Sequence, residues 1–144
     1  MQQSNFTKLI KKSYENVRMA SYAIDCIMER IQSPALAELV RKQNKFYLDA
    51  TKDIESLAHA KEITLTDVNI VAQTMSLISI KLKTLADNDS AKLAEMLVQG
   101  TTMGITDAIK ARREFHVDSP ELVAIVDRII NHEEEFVDSL KTFL

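Results

Sequence analysis

His132 is followed directly by Glu133, Glu134 and Glu135. This is the richest set of candidate metal ligands in the chain. A di-metal carboxylate centre in a helical bundle takes a Glu from each of two helices and a Glu-x-x-His pair from each of two others. The three-residue spacing sets both ligands of a pair on one helix face, one turn apart. No Glu-x-x-His occurs anywhere in this sequence. The nearest approach is Glu55 and His59, four apart, which reads as a surface pair near a helix end. One helix cannot hold two hard ions alone. The metal reading therefore reduces to a non-standard site near His132, Glu133 and Glu135. Taken by itself, His132 falls between Ile129 and Phe136 in an apolar stripe and reads as a hydrogen-bonded core residue.

Other chemistry is thinly represented. Cys26 is the sole cysteine, so no intrachain disulfide can form, and a lone thiol fits a reducing interior. A nucleophilic cysteine needs a base and a setting that favours thiolate. Asp25 beside it does the opposite. The two glycines of the chain, Gly100 and Gly104, lie four apart in "QGTTMGIT", inside a predicted helix. They cannot form a phosphate-cradling loop there. Each costs ~1 kcal/mol relative to alanine in a helix interior. On one face they would make a helix-packing groove, an interface, or a small site for an apolar ligand flanked by Met96 and Met103.

The elements that carry these residues are helices. With two Gly and two Pro in 144 residues, the chain lacks the turn residues that sheets require. Phe6, Ile10, Ser13, Val17, Ala20, Ile24, Ile27 and Ile31 follow a 4-3-4-3 spacing and predict a first helix over 4–31. Ser33 and Pro34 open a second, ending near Lys61, with Gln43 interrupting its apolar face. A third begins at "TLTD" (64–67) and ends at "DNDS" (87–90). Its two stripes, one through Val68, Val71, Met75, Ile78, Leu82 and Leu85 and one through Ile70, Leu77 and Ile80, predict burial on more than one side. A fourth spans 90–115, with Leu93, Met96, Leu97, Gly100, Met103, Gly104, Ala108 and Ala111 on one face. Ser119 and Pro120 open a fifth, striped by Leu122, Ile125, Ile129, Phe136, Leu140 and Phe143. Short links between long helices favour antiparallel neighbours. The length suits one domain, residues 1–144, with one core.

Charge narrows the function further. The net charge of −3 and pI of about 5.6 argue against nucleic acid as the main partner, because phosphate binding needs concentrated positive surface. No stretch approaches the ~18 apolar residues of a membrane span. A cytoplasmic location is the expectation.

The stretches "AEMLVQGTTMGITDAIK" (94–110) and "HEEEFVDSLKTFL" (132–144), carried on five long helices, resemble the ferritin-like superfamily, in particular small uncharacterised bacterial proteins grouped near it. The resemblance implies pseudo-twofold related helix pairs. The two Ser-Pro helix starts, each with a Leu two residues on, agree with that. It also implies di-iron chemistry or iron storage, but the positions that would hold Glu-x-x-His read Gln43-Asn44-Lys45-Phe46 and Ile129-Ile130-Asn131-His132.

The expectation is thus an all-α antiparallel bundle of about five helices, ferritin-like or a four-helix bundle with one helix packed outside. Its role is non-enzymatic, through protein contacts or self-association as a homo-oligomer, with no catalytic residues and no cofactor. The alternatives are metal binding near His132, Glu133 and Glu135, and an apolar ligand at Gly100 and Gly104.

Overall fold

The computed structural model describes residues 4–83, 85 and 89–144, without the side chains of Val68, Ile70, Val71 and Met75. Five α-helices account for nearly all of it: α1 (Asn5–Ile27), α2 (Pro34–Ala60), α3 (Val68–Lys83), α4 (Ser90–Glu114) and α5 (Pro120–Leu140). Short 3-10 turns follow α1 and α5. No strand occurs among the described residues. The all-α expectation is met. The first helix tightens into a 3-10 turn at Met28–Arg30 rather than continuing to Ile31. In the "DNDS" turn, Asp87 and Asn88 lie outside the described residues, while Asp89 caps α4.

The helix starts follow from their caps. Ser4, Ser33, Asp89 and Ser119 each accept a hydrogen bond from a first-turn N–H. Pro34 and Pro120 sit in the first turn, where their missing N–H costs nothing. The end of α2 lacks the usual glycine. Ile63 N–H bonds the Ala58 carbonyl and Glu62 N–H the His59 carbonyl. This closure needs a left-handed residue, and Glu62 supplies it with φ 57°.

α1, α2, α4 and α5 enclose the core. α1 packs on α2 and α4, and α5 packs on α2 and α4. The contacts run in opposite senses along the neighbours. Lys61 lies over the Phe6 ring and Ser21 meets Asn44 between α1 and α2. Arg128 pairs with Asp53, and Glu133 meets Tyr47, between α5 and α2. Arg112 reaches Asp127 at the opposite end of α4 and α5 from residues 90 and 140. Ile10, Ile24, Leu36, Val40, Ile54, Leu93, Leu122 and Leu140 are buried almost completely at the centre. Each such side chain contributes ~1.5–3 kcal/mol through burial.

α3 stands outside this group and packs chiefly on α1. Arg18 grips Asp67 just before α3, and Arg30 donates to the Leu82 carbonyl near its end, at 3.1 Å. The two helices therefore run in the same sense. Ile78, Leu82 and Leu85 pack against the core, but Leu77 and Ile80 are 55% and 60% exposed. One side of the second predicted stripe faces water rather than protein. Of the remaining stripe positions, Val68, Ile70, Val71 and Met75 lie outside the described side chains.

Candidate functional site

The inward face of α5 is Leu122, Val126, Ile129, Glu133, Phe136 and Leu140. The spacing alternates four and three, the repeat of a helix facing a bundle core. His132 does not occupy the stripe position between Ile129 and Phe136; Glu133 does. At about 100° per residue, Glu133 lies ~40° past Ile129 around the helix, whereas His132 lies ~60° short of it. The three-four row through Leu122, Ile125, Ile129 and Phe136 pointed to His132; the observed burial follows the adjacent four-three row through Val126 and puts Glu133 inside.

Glu133 is 4% exposed and is the only charged residue in the core among the described residues. Tyr47 of α2, itself 1% exposed, donates its hydroxyl to Glu133 Oε2 at 2.8 Å. Burial pushes the Glu133 carboxyl up to about 7, with the Tyr47 hydrogen bond acting against that rise. Burial, and next the Glu133 charge, also push the Tyr47 hydroxyl well above its ordinary range. Gln43, one turn earlier on α2, is buried too. Its amide faces the Tyr47 hydroxyl closely enough to favour the phenolate. Even so, its Nε2 has no well-formed hydrogen bond. The neighbouring hydroxyls are satisfied locally: Thr51 donates to the Tyr47 carbonyl and Ser13 to the Leu9 carbonyl.

α4 completes this junction with Gly104. A Cβ built there would stand 3.4 Å from Glu133 Oε2. The two glycines do not share an environment. Gly104 is half-buried against the carboxyl, while Gly100 is exposed, with nothing within 4 Å of its Cβ position. The buried face of α4 is Leu93, Ala94, Leu97, Thr101, Ala108 and Ala111, which leaves Met103 65% exposed. Two shallow open depressions lie elsewhere. One is lined by Phe6, Lys61 and 116–121, the other by Asp53, Ser56, Leu57, Ala60, Glu121 and Ile125.

The remaining candidates are dispersed. His132 is on the surface, stacked flat on Phe46 with ring centroids 3.8 Å apart. Glu135 is exposed. Together with the buried Glu133, these three side chains face three different surroundings. Among the described residues no group of three His, Cys, Asp or Glu could hold a metal ion. Glu55 and His59 are both exposed. Cys26 is half-buried, and burial, reinforced by Asp25, pushes its thiol up, which disfavours the nucleophilic thiolate.

A second polar cluster joins α1 to the start of α3. Asp67 Oδ2 accepts from Arg18 Nε at 3.2 Å and from the Tyr22 hydroxyl at 2.9 Å. Arg18 also lies over the Tyr22 ring. The Tyr22 hydrogen bond, more than the Arg18 charge, holds the Asp67 carboxyl below its ordinary range. No local pattern announces this cluster, because its members come from distant parts of the chain. The Tyr47–Glu133 contact did have a signal. Continuing the four-three spacing from Leu122 through Val126 and Ile129 leads to Glu133.

The chemistry available at the core junction is proton uptake and release near neutral pH by one carboxyl. Among the described residues no second carboxylate is buried with it. No family model, curated protein or solved structure matches the chain.

Proposed function

We propose that this protein acts through contacts between copies of itself, with α3 as the contacting element. The observation that carries this reading is the exposure of Leu77 and Ile80, three residues apart on a helix that packs chiefly on α1. Large apolar side chains that neighbour one another on an exposed helix mark contact surfaces more often than isolated ones do. The charge pattern favours a second copy as the occupant. From Val68 to Ile80 the sequence has no charged residue. Two such faces can therefore approach across a twofold axis without burying like charges. Asp67, at the near end, is already held by Arg18 and Tyr22. The ring of α1, α2, α5 and α4, with α3 linking its two halves, supports a ferritin-like reading of the fold. The absence of the Glu-x-x-His pairs separates that reading from iron chemistry.

Sedimentation of the purified chain tests the proposal. The expected result is a dimer or larger assembly at micromolar concentration, which Leu77→Glu with Ile80→Glu converts to monomer without loss of helical circular dichroism. A monomeric wild-type chain overturns it, as does an assembly indifferent to the two substitutions.

A further inference from the structure

We propose that Glu133 is a proton-controlled latch at the junction of α2, α4 and α5. With its proton on, the carboxyl stays in the core, against Tyr47 and beneath Gly104. With the proton off, it leaves for water past the uncovered α4 backbone at Gly104 and Gly100, and α4 slackens from α5.

The geometry carries the argument. A carboxyl that is almost fully buried is stable as an anion only with a cation or several donors around it. Glu133 has one donor, the Tyr47 hydroxyl. The groups facing it are few. α2 presents Tyr47, with Gln43 behind it. α4 presents Gly104. No charged side chain of α1, α2 or α4 acts on it, and burial is the main influence on its titration. On its own helix, His132 and Glu134 point to solvent.

The outward route is also particular. A carboxyl buried under leucines would have to displace them to reach water. Glu133 Oε2 instead lies under a residue without a side chain, and the next residue one turn earlier, Gly100, is exposed and bordered by open space. One of the two helix-weakening glycines, Gly104, thus lies against the one buried charge among the described residues, and the other is exposed one turn away. The sign follows. The folded state prefers the proton more than the unfolded chain does, so its stabilising effect is complete below pH 4.5 and is lost as pH rises through about 7. This latch does not depend on what α3 contacts.

The test uses the intact chain and Glu133→Gln, which keeps the side-chain shape and an acceptor for Tyr47 but cannot ionise. Amide exchange, corrected for its intrinsic pH dependence, is followed along α4 from pH 5 to 8.5. The expected result is protection around Gly104 that falls at least tenfold across this range in the wild type and holds constant in the variant. Equal pH dependence in both chains overturns the latch. Carbon-13 NMR of the wild-type glutamate carboxyls gives a reading that needs no variant. One carboxyl titrating near neutrality supports the proposal, and all of them titrating in the ordinary acidic range overturns it.

Discussion

Tyr47 and Glu133 meet hydroxyl to carboxyl at 2.8 Å in the core between α2 and α5, and they act on each other's protons in opposite directions. Tyr47 donates, so it favours the ionised Glu133, while the Glu133 charge disfavours a phenolate at Tyr47. Removing the hydroxyl therefore has a pH-dependent effect. Tyr47→Phe is expected to cost about 1 kcal/mol at pH 5, where the neutral carboxyl loses an ordinary hydrogen bond, and less at pH 8, where the ionised carboxyl has already left Tyr47 for water. Urea unfolding at the two pH values measures both. Equal losses would show that Glu133 has the same protonation state at each.

The wild-type pH profile should carry the mark of Glu133 directly. A folded-state value of about 7 against an ordinary 4.5 corresponds to about 3 kcal/mol of stability at most. That stability is present in acid and lost on going from pH 5 to pH 8. Asp67 has the opposite sign. Its carboxyl is held below the ordinary value by Tyr22 and Arg18, so its contribution is present above pH 4 and lost in stronger acid. It is partly exposed, with 29% of the side chain accessible, and solvent screening keeps the contribution to ~1 kcal/mol or less. Denaturant midpoints across pH 3–8 are expected to peak near pH 5. A midpoint that rises steadily to pH 8 contradicts the burial of Glu133.

Arg18 fastens the start of α3 through Asp67 and Tyr22. Arg18→Ala is expected to leave the core of α1, α2, α4 and α5 folded while α3 opens more readily. Limited proteolysis reads this as earlier cleavage between 61 and 89, with unchanged protection of α5. Cleavage spread evenly through the chain would mean that α3 and the core unfold as one unit.

How far the sequence reached can be traced through single residues. The five helices were legible because their apolar spacing and their Ser-Pro starts are local signals, and the structure uses those same caps at Ser33 and Ser119. Faces were less legible. On α5, a three-four spacing chose Ile125 and His132, whereas packing buries the adjacent Val126 and Glu133. On α4 it grouped Gly100 and Met103 with the core, though the buried row runs through Leu97 and Thr101. Residues one position apart differ by only ~100° around a helix, so a polar residue that is paired inside can mislead the whole stripe. The Arg18–Tyr22–Asp67 cluster depends on where α3 lands, which no periodicity within either segment specifies.

Gly100 offers a direct measure of what that glycine costs. Nothing lies within 4 Å of its Cβ position, so Gly100→Ala meets no obstacle and is expected to stabilise the protein by ~1 kcal/mol. Gly104→Ala gains the same helix preference but brings a methyl to 3.4 Å from Glu133 Oε2. Its gain is expected to be smaller, and smallest at pH 8, where the methyl hinders hydration of the charged carboxyl. Thermal unfolding of both variants at pH 5 and 8 separates these cases. A loss of stability in Gly100→Ala would mean that α4 is covered at that point by a contact beyond the single chain.

The last turn of α2 holds a strain that one substitution can relieve. Glu62 has φ 57°, a left-handed conformation that costs a residue with a Cβ roughly 1–2 kcal/mol. The position is fixed by two backbone bonds, Ile63 N–H to the Ala58 carbonyl at 2.8 Å and Glu62 N–H to the His59 carbonyl at 3.1 Å. Glycine adopts this conformation freely, though it loses more freedom on folding. Glu62→Gly is therefore expected to stabilise the chain by ~0.5–1 kcal/mol. Glu62→Ala separates backbone from charge. It removes the same exposed carboxylate but keeps a Cβ, so it should leave stability nearly unchanged. If alanine stabilises as much as glycine, the strain is not in the backbone, and the benefit comes from removing a negative charge at the negative end of the α2 dipole.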